Sequence, residues 1–130
     1  MKNNIFSIIK YLFYFSLIIL LSIYLFPGSL IGYILYGNIG RQPDFILNPI
    51  GTSINHLIFF FYLSILGFIF RNNQKKFINS FSFLFLISII LELLHYFIPN
   101  RAFELNDLYA NSFGVLLAYL LLKLFRKITN

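Results

Sequence analysis

The chain has no cysteine, which excludes a disulfide framework, a thiolate metal site and a cysteine nucleophile. Charge is also scarce: 11% of the 130 residues are charged, against about a quarter in a soluble domain. Four residues are acidic, Asp44, Glu92, Glu104 and Asp107. Low hydrophobicity, the mark of disordered chains, is absent as well. The sequence is 59% hydrophobic and 21% aromatic, with a mean hydropathy of +0.82. A chain this short leaves too much surface for one core to hide so much Phe, Leu, Ile and Tyr. These features exclude a soluble globular domain and make lipid the main solvent. The scarcity of Val and Ala beside abundant Phe, Ile, Asn and Lys resembles an AT-rich coding bias, so single Phe or Ile choices carry little weight.

The formal charge of +6 does not indicate nucleic-acid binding. The ten Lys and Arg fall in short clusters between apolar runs, as in membrane proteins. A spanning helix needs roughly 20 mostly apolar residues. Spans are expected over about 5–26, 50–70, 77–98 and 107–125. Lys10 lies near the start of the first, where its ammonium can snorkel. Pro27 and Gly28 end that span, and its apolar run is too long for a secretory signal. Ser29 to Tyr36 is apolar but too short to cross, so it reads as a re-entrant or interfacial segment. Asn48-Pro49 is a helix-start signal for the second span, and Arg71 to Lys76 forms a polar turn. Pro99 stops the third span, and Asn106 or Asp107 caps the fourth.

The fold class expected is all-α, a four-helix transmembrane bundle with both termini on one side. Four crossings place Lys2, Lys10, Arg71, Lys75, Lys76, Lys123, Arg126 and Lys127 on that side, leaving Arg41 and Arg101 opposite. The positive-inside rule then puts both termini in the cytoplasm.

In this topology the carboxylates lie toward the outer side. Glu92 sits inside the third span, six residues or roughly 9 Å before Ile98, and His56 lies at a similar depth in the second. His95 is at i+3 from Glu92 and Ser88 at i−4, on one face. Asp107 and Asn111 begin the fourth helix, with Gly114 and Ala118 continuing their face as small packing residues. Ionisable groups in a span are costly and turn toward the bundle interior, where they pair. His56, Glu92, His95, Asp107 and Asn111 are therefore expected to form one outward-opening polar cluster, or else interhelical hydrogen bonds with structural duty only. Glu92 and His95 are the candidate acid/base pair. Arg101, just past Pro99, suits a phosphate or carboxylate, or an ion pair with Glu104 or Asp107. Ser88 and Ser112 read as packing residues. Glu92-x-x-His95 has the spacing of a carboxylate-bridged metal motif, but a second such motif and further Glu ligands are lacking; no metal and no cofactor are expected. Lys75, Lys76 and the tail cations read as topology determinants that meet anionic lipid. So small a bundle interior is compatible with association with another copy or a membrane partner.

The run Glu92-Leu-Leu-His-Tyr-Phe-Ile-Pro99-Asn-Arg101-Ala-Phe-Glu-Leu-Asn-Asp107-Leu-Tyr-Ala-Asn111-Ser-Phe-Gly114 resembles the second half of the VanZ-like membrane proteins. Their pattern is Glu, then Gln three residues on, then Pro, Arg, Asp, Asn and Gly at similar spacing. His56 and the apolar run to Gly67 look like the family's second helix, so the resemblance covers roughly residues 50–120. This chain has Thr52-Ser53 where the family usually has Asp-Lys, His95 for the usual Gln, and Ala118 where Gly is common. The His95 change adds a group that titrates near neutral pH. The resemblance implies one integral domain over residues 1–130, in the cytoplasmic membrane of a bacterial envelope. The convergence of polar groups at one depth on one side points to a site that binds or modifies an anionic lipid or a lipid-linked envelope precursor, with His56, Arg101, Asp107 and Asn111 as the binding residues. The family's namesake is associated with low-level teicoplanin resistance, so an effect on glycopeptide susceptibility is a further expectation. The alternative is a non-catalytic module whose cluster holds helices together.

Overall fold

A computed structural model describes residues 2–43, 51, 53–70 and 74–129. The described chain is all-helical: α1 Lys2–Leu25, α2 Leu30–Tyr36, α3 Ser53–Phe70, α4 Gln74–Leu94 and α5 Leu105–Thr129. Long proline-free apolar runs favour helices because each backbone group is then satisfied within its own segment. Asp107 in the first turn of α5 and Arg126 and Lys127 in its last complement the helix dipole. The Asp44 and Asn48-Pro49 expectations, and Arg71 to Asn73 of the polar turn, lie outside the described residues. Lys75 and Lys76 belong to the first turn of α4 rather than to a turn before it.

α3 packs against both α1 and α5, and α4 packs against α5 and α3. Ser53 at the start of α3 meets Asp107 at the start of α5, while Arg126 near the end of α5 donates to the Phe68 carbonyl near the end of α3. The two helices therefore run parallel. Tyr24, near the end of α1, meets His56 near the start of α3, and Asn111 of α5 meets Glu92 near the end of α4. α1 and α4 thus run the other way.

The core between them holds Phe13, Leu20, Phe60, Leu63, Leu84 and Val115. The outward faces are apolar too, with Ile8, Tyr11, Phe15, Phe113, Leu121 and Phe125 all exposed. Glu92, His95, Asp107 and Asn111 are buried instead. Polar inside and apolar outside is the arrangement lipid demands. Asn4–Leu25 and Leu105–Ile128 are long and apolar enough to cross a membrane, while the apolar parts of α3 (Ser53–Ile69) and α4 (Ser80–Leu94) are shorter.

Two expected boundaries move. The apolar pattern predicts a third span to Ile98, but α4 ends at Leu94, because Pro99 lies ahead and the chain tightens first. His95, Tyr96 and Phe97 each donate to the carbonyl three residues back, the i→i−3 pattern of a 3₁₀ turn. The segment after the first span contains a helix, α2, capped by Ser29, whose side chain accepts from Gly32 N–H. Gly32 lies so close to the returning chain that a Cβ there would collide with the Arg41 carbonyl. Gly32→Ala is expected to push residues 38–41 off α2 and to lower stability by about 1–3 kcal/mol, the usual range for overpacking. A thermal unfolding curve in detergent checks this.

Candidate functional site

The polar side chains converge where α1 and α4 end and α3 and α5 begin. Glu92, fully buried, is the hub. Its Oε1 accepts from His95 Nδ1 at 3.1 Å and from the Glu104 backbone N–H at 3.3 Å. Its Oε2 accepts from Asn111 Nδ2 at 3.2 Å. Asn111 also donates to the Ser88 carbonyl at 3.5 Å and accepts from the Tyr24 hydroxyl at 2.7 Å. That hydroxyl lies 2.6 Å from His56 Nδ1. On the other side of the imidazole, Nε2 lies 3.5 Å from Asp107 Oδ2, and Asp107 Oδ1 accepts from Ser53 Oγ at 2.5 Å. Glu92, Asn111, Tyr24, His56 and Asp107 thus form one chain of contacts through four helices.

Five of the residues singled out from the sequence (His56, Glu92, His95, Asp107 and Asn111) are brought together. His95 lies just past the end of α4, where the 3₁₀ turn keeps it over Glu92. Gly114 and Ala118 do not join them; Gly114 sits against the α3 backbone at Leu57 and Phe61, and Ala118 is buried in the core. Ser88 reaches Asn111 through its carbonyl, while its hydroxyl donates to Phe85 O. Arg101 makes no ion pair with Glu104 or Asp107 among the described residues. It turns toward α1, with Nη2 donating to Ile23 O at 2.7 Å and Nε to Phe26 O at 3.4 Å. A cation suits the carbonyl end of a helix. Burial pulls its guanidinium below the usual value, opposed by Tyr24, Glu92 and Asp107. Nη1 donates to nothing among the described residues.

Sequence reading missed Tyr24, Ser53 and Asn55. Tyr24 is one of nine tyrosines, embedded in an apolar run, and nothing in its neighbours marks it. Its place near the end of α1, level with His56, was the available signal. Its ring stacks on His95, with centroids 5.4 Å apart, and meets Phe60 edge-on.

Beside the cluster lies a cavity of about 160 Å³. Ile31 and Leu35 of α2 with Gln42 and Pro43 form one wall; Tyr24, Asn55, His56, Phe59 and Arg101 contribute to the others. Asn55 donates to Pro43 O, and its buried Oδ1 has no partner among the described residues. Phe59 also lines a second cavity along α1 and α3, which shares Leu12 and Phe15 with a shallow, open surface depression that reaches Ile8. The stretch of α1 from Ile23 back to Ile8 that lines these three spans about 22 Å at 1.5 Å per residue.

His56, Glu92 and Asp107 each place a ligand-type atom within 4.8 Å of the others. A cation there would compete with donors already in place, since both oxygens of Glu92, Asp107 Oδ1 and His56 Nδ1 are engaged as described.

Helices with apolar exteriors around a buried ionisable cluster define an integral membrane protein. The chain belongs to the VanZ/LLP1 family, whose sequence description matches residues 2–126. No curated protein and no solved structure matches it.

Proposed function

We propose that this VanZ-like protein crosses the bacterial cytoplasmic membrane four times, with both termini in the cytoplasm. The charge bias and the alternating helix directions support this. Lys10, Lys123, Arg126 and Lys127 lie toward one end and the polar cluster toward the other. At that outer level the protein binds an anionic lipid or a lipid-linked envelope precursor. The observation that carries the reading is the cavity. Arg101 brings an Nη1 and Asn55 an acceptor, neither with a partner among the described residues, to a pocket whose lining includes Ile23, Ile31, Leu35 and Phe59. Apolar walls with a few placed polar groups are the usual makeup of a ligand site. A phosphate suits Arg101, a neighbouring hydroxyl suits Asn55 Oδ1, and the stretch along α1 suits one hydrocarbon chain.

Arg101→Ala is expected to lower retention of phosphate-bearing lipid by about 10–100-fold. This follows from losing a charge-assisted contact of about 1.5–3 kcal/mol, at 1.4 kcal/mol per tenfold. Native mass spectrometry of protein purified in mild detergent reads it, with Lys10→Ala, at an exposed cation away from the cavity, as control. Envelope lipid profiles and glycopeptide susceptibility at matched membrane levels extend the test to the cell. Equal lipid retention by wild type and Arg101→Ala would remove the support.

The internal saturation of Glu92 favours a second reading, a non-catalytic module whose cluster holds the helices together. On that reading Arg101→Ala changes thermal stability alone.

A further inference from the structure

The hydrogen-bond geometry can be solved for its protons, starting at Asn111. Its Nδ2 faces Glu92 Oε2 at 3.2 Å and Ser88 O at 3.5 Å. Ser88 O can only accept. Exchanging the amide's O and N would turn Oδ1 toward both of these oxygens, so Nδ2 is the donor and Oδ1 points at Tyr24. An O···O separation of 2.7 Å requires a hydrogen, and Asn111 Oδ1 has none to give. Tyr24 therefore donates its single proton to Asn111. It has none left for His56 Nδ1 at 2.6 Å, so that contact is an N–H donated by His56 to the tyrosine oxygen. The neutral tautomer this fixes carries its proton on Nδ1 and leaves a lone pair on Nε2. That lone pair would face Asp107 Oδ2 at 3.5 Å. Two acceptors in a buried site repel, and the Ser53 hydroxyl is occupied at Oδ1, the other oxygen.

The charges lead to the same place. Glu92 accepts three N–H donors and is satisfied as an anion. Asp107 is the second carboxylate and Arg101 supplies one cation. His95 donates from Nδ1 to Glu92, while its buried Nε2 has no partner among the described residues. A proton there would bury an unpaired N–H. Tyr24 completes the ionisable groups facing His56, from α1; Glu92 and His95 face it from α4 and the turn beyond, Asp107 from α5 and Arg101 from the loop. Among the described residues, with the exposed Glu104 left to the solvent, two buried anions and one cation leave a net charge of −1, which one proton cancels. Uncompensated buried charge is what such a site least tolerates.

We propose that the cluster holds one exchangeable proton between His56 Nε2 and Asp107 Oδ2, and that this pair, rather than Glu92 and His95, exchanges a proton with whatever occupies the cavity. His56 forms part of the cavity wall, whereas Glu92 and His95 do not. Glu92 is a positioning residue. It orients Asn111, which directs the tyrosine proton, which in turn sets the His56 tautomer. On transfer the proton leaves the pair for the ligand, and the site becomes −1 as the ligand gains +1. The assignment goes beyond the lipid reading and stands or falls without it, because the test uses protein with no ligand added.

The chain has two histidines, so the imidazole signals are few. Full-length protein, labelled with ¹⁵N at histidine and ¹³C at carboxyl groups, is reconstituted in nanodiscs and measured by NMR at pH 7. His95→Gln, which installs the residue usual in relatives, leaves His56 as the single imidazole and assigns its signals. The expected spectrum has His56 Nδ1 protonated, with the additional proton either on Nε2 or on the Asp107 carboxyl. In Asp107→Asn the second proton is lost and His56 reports the neutral Nδ1–H form. A bare Nδ1, an ionised Asp107 beside a bare Nε2, or a protonated Glu92 would each overturn the assignment. If Asp107→Asn does not fold, the wild-type spectrum alone decides between these outcomes.

Discussion

Gly114→Ala is expected to destabilise the protein by more than the single methyl suggests, about 1–3 kcal/mol, and Gly114→Val by more still. A Cβ at Gly114 would lie 2.5 Å from Leu57 O and 3.0 Å from Phe61 N, both backbone atoms of α3. A side chain can swing aside; a helix backbone cannot, so relief requires α3 and α5 to separate. Small residues at this crossing are what allow the close approach, and in lipid van der Waals packing is the main attraction between helices. Separation also reaches the polar cluster. Asn111 lies one turn before Gly114, and Asp107 one turn before that, so the Tyr24–Asn111 and Ser53–Asp107 bonds lengthen together. Gly40→Ala is the control, because a Cβ there meets only the Asn38 side chain, at 3.3 Å. Thermal unfolding in detergent should place Gly40→Ala near wild type and Gly114→Ala well below. Equal midpoints would show that α3 and α5 do not approach at Gly114.

This dependence on close approach marks what the sequence conveys and what it leaves out. The helices were legible because apolar runs between Pro27, Pro99 and the charged turns leave few other structures possible. The level at which Glu92, His56 and Asp107 meet was legible because helix rise is fixed, and residue counts from the span ends give depth. Partner choice was not. Arg101 follows Pro99 in a loop with Glu104 and Asp107 nearby in sequence, yet its guanidinium meets the carbonyl end of α1, about 75 residues earlier in the chain. Such a contact depends on which helix ends lie side by side, and hydropathy carries no record of that. Tyr24 was hidden for the same reason, since its hydroxyl acquires meaning only opposite His56 and Asn111. The cavity is a property of the α2 return, whose tightness rests on Gly32 meeting Arg41, a contact between an unremarkable glycine and a loop carbonyl.

Removing the hub is expected to have the other large effect, with an order set by how many donors lose their acceptor. Glu92→Leu leaves His95 Nδ1–H and the Glu104 N–H without a partner and Asn111 Nδ2 with the Ser88 carbonyl alone, and it leaves the Arg101 charge less compensated. Breaking a buried charged network from one side costs about 3–5 kcal/mol. In a membrane the low end applies, because polar groups of the unfolded chain find partners there too. Glu92→Gln keeps the shape and one acceptor oxygen but turns an NH₂ toward either His95 or Asn111, so one donor meets another at about 1–3 kcal/mol. The order wild type, Gln, Leu in thermal midpoint tests the closed network, and stability of Glu92→Leu equal to wild type would sink it. Glu92→Gln has a second consequence. It removes one negative charge from a cluster that is neutral with its shared proton, so the proton becomes the excess charge and His56–Asp107 gives it up. Replacing a residue that touches neither atom of that pair should therefore change the pair's protonation, and Asn111→Leu, which leaves every charge in place, should not release the proton. The two variants separate the electrostatic role of Glu92 from its role in orienting Asn111.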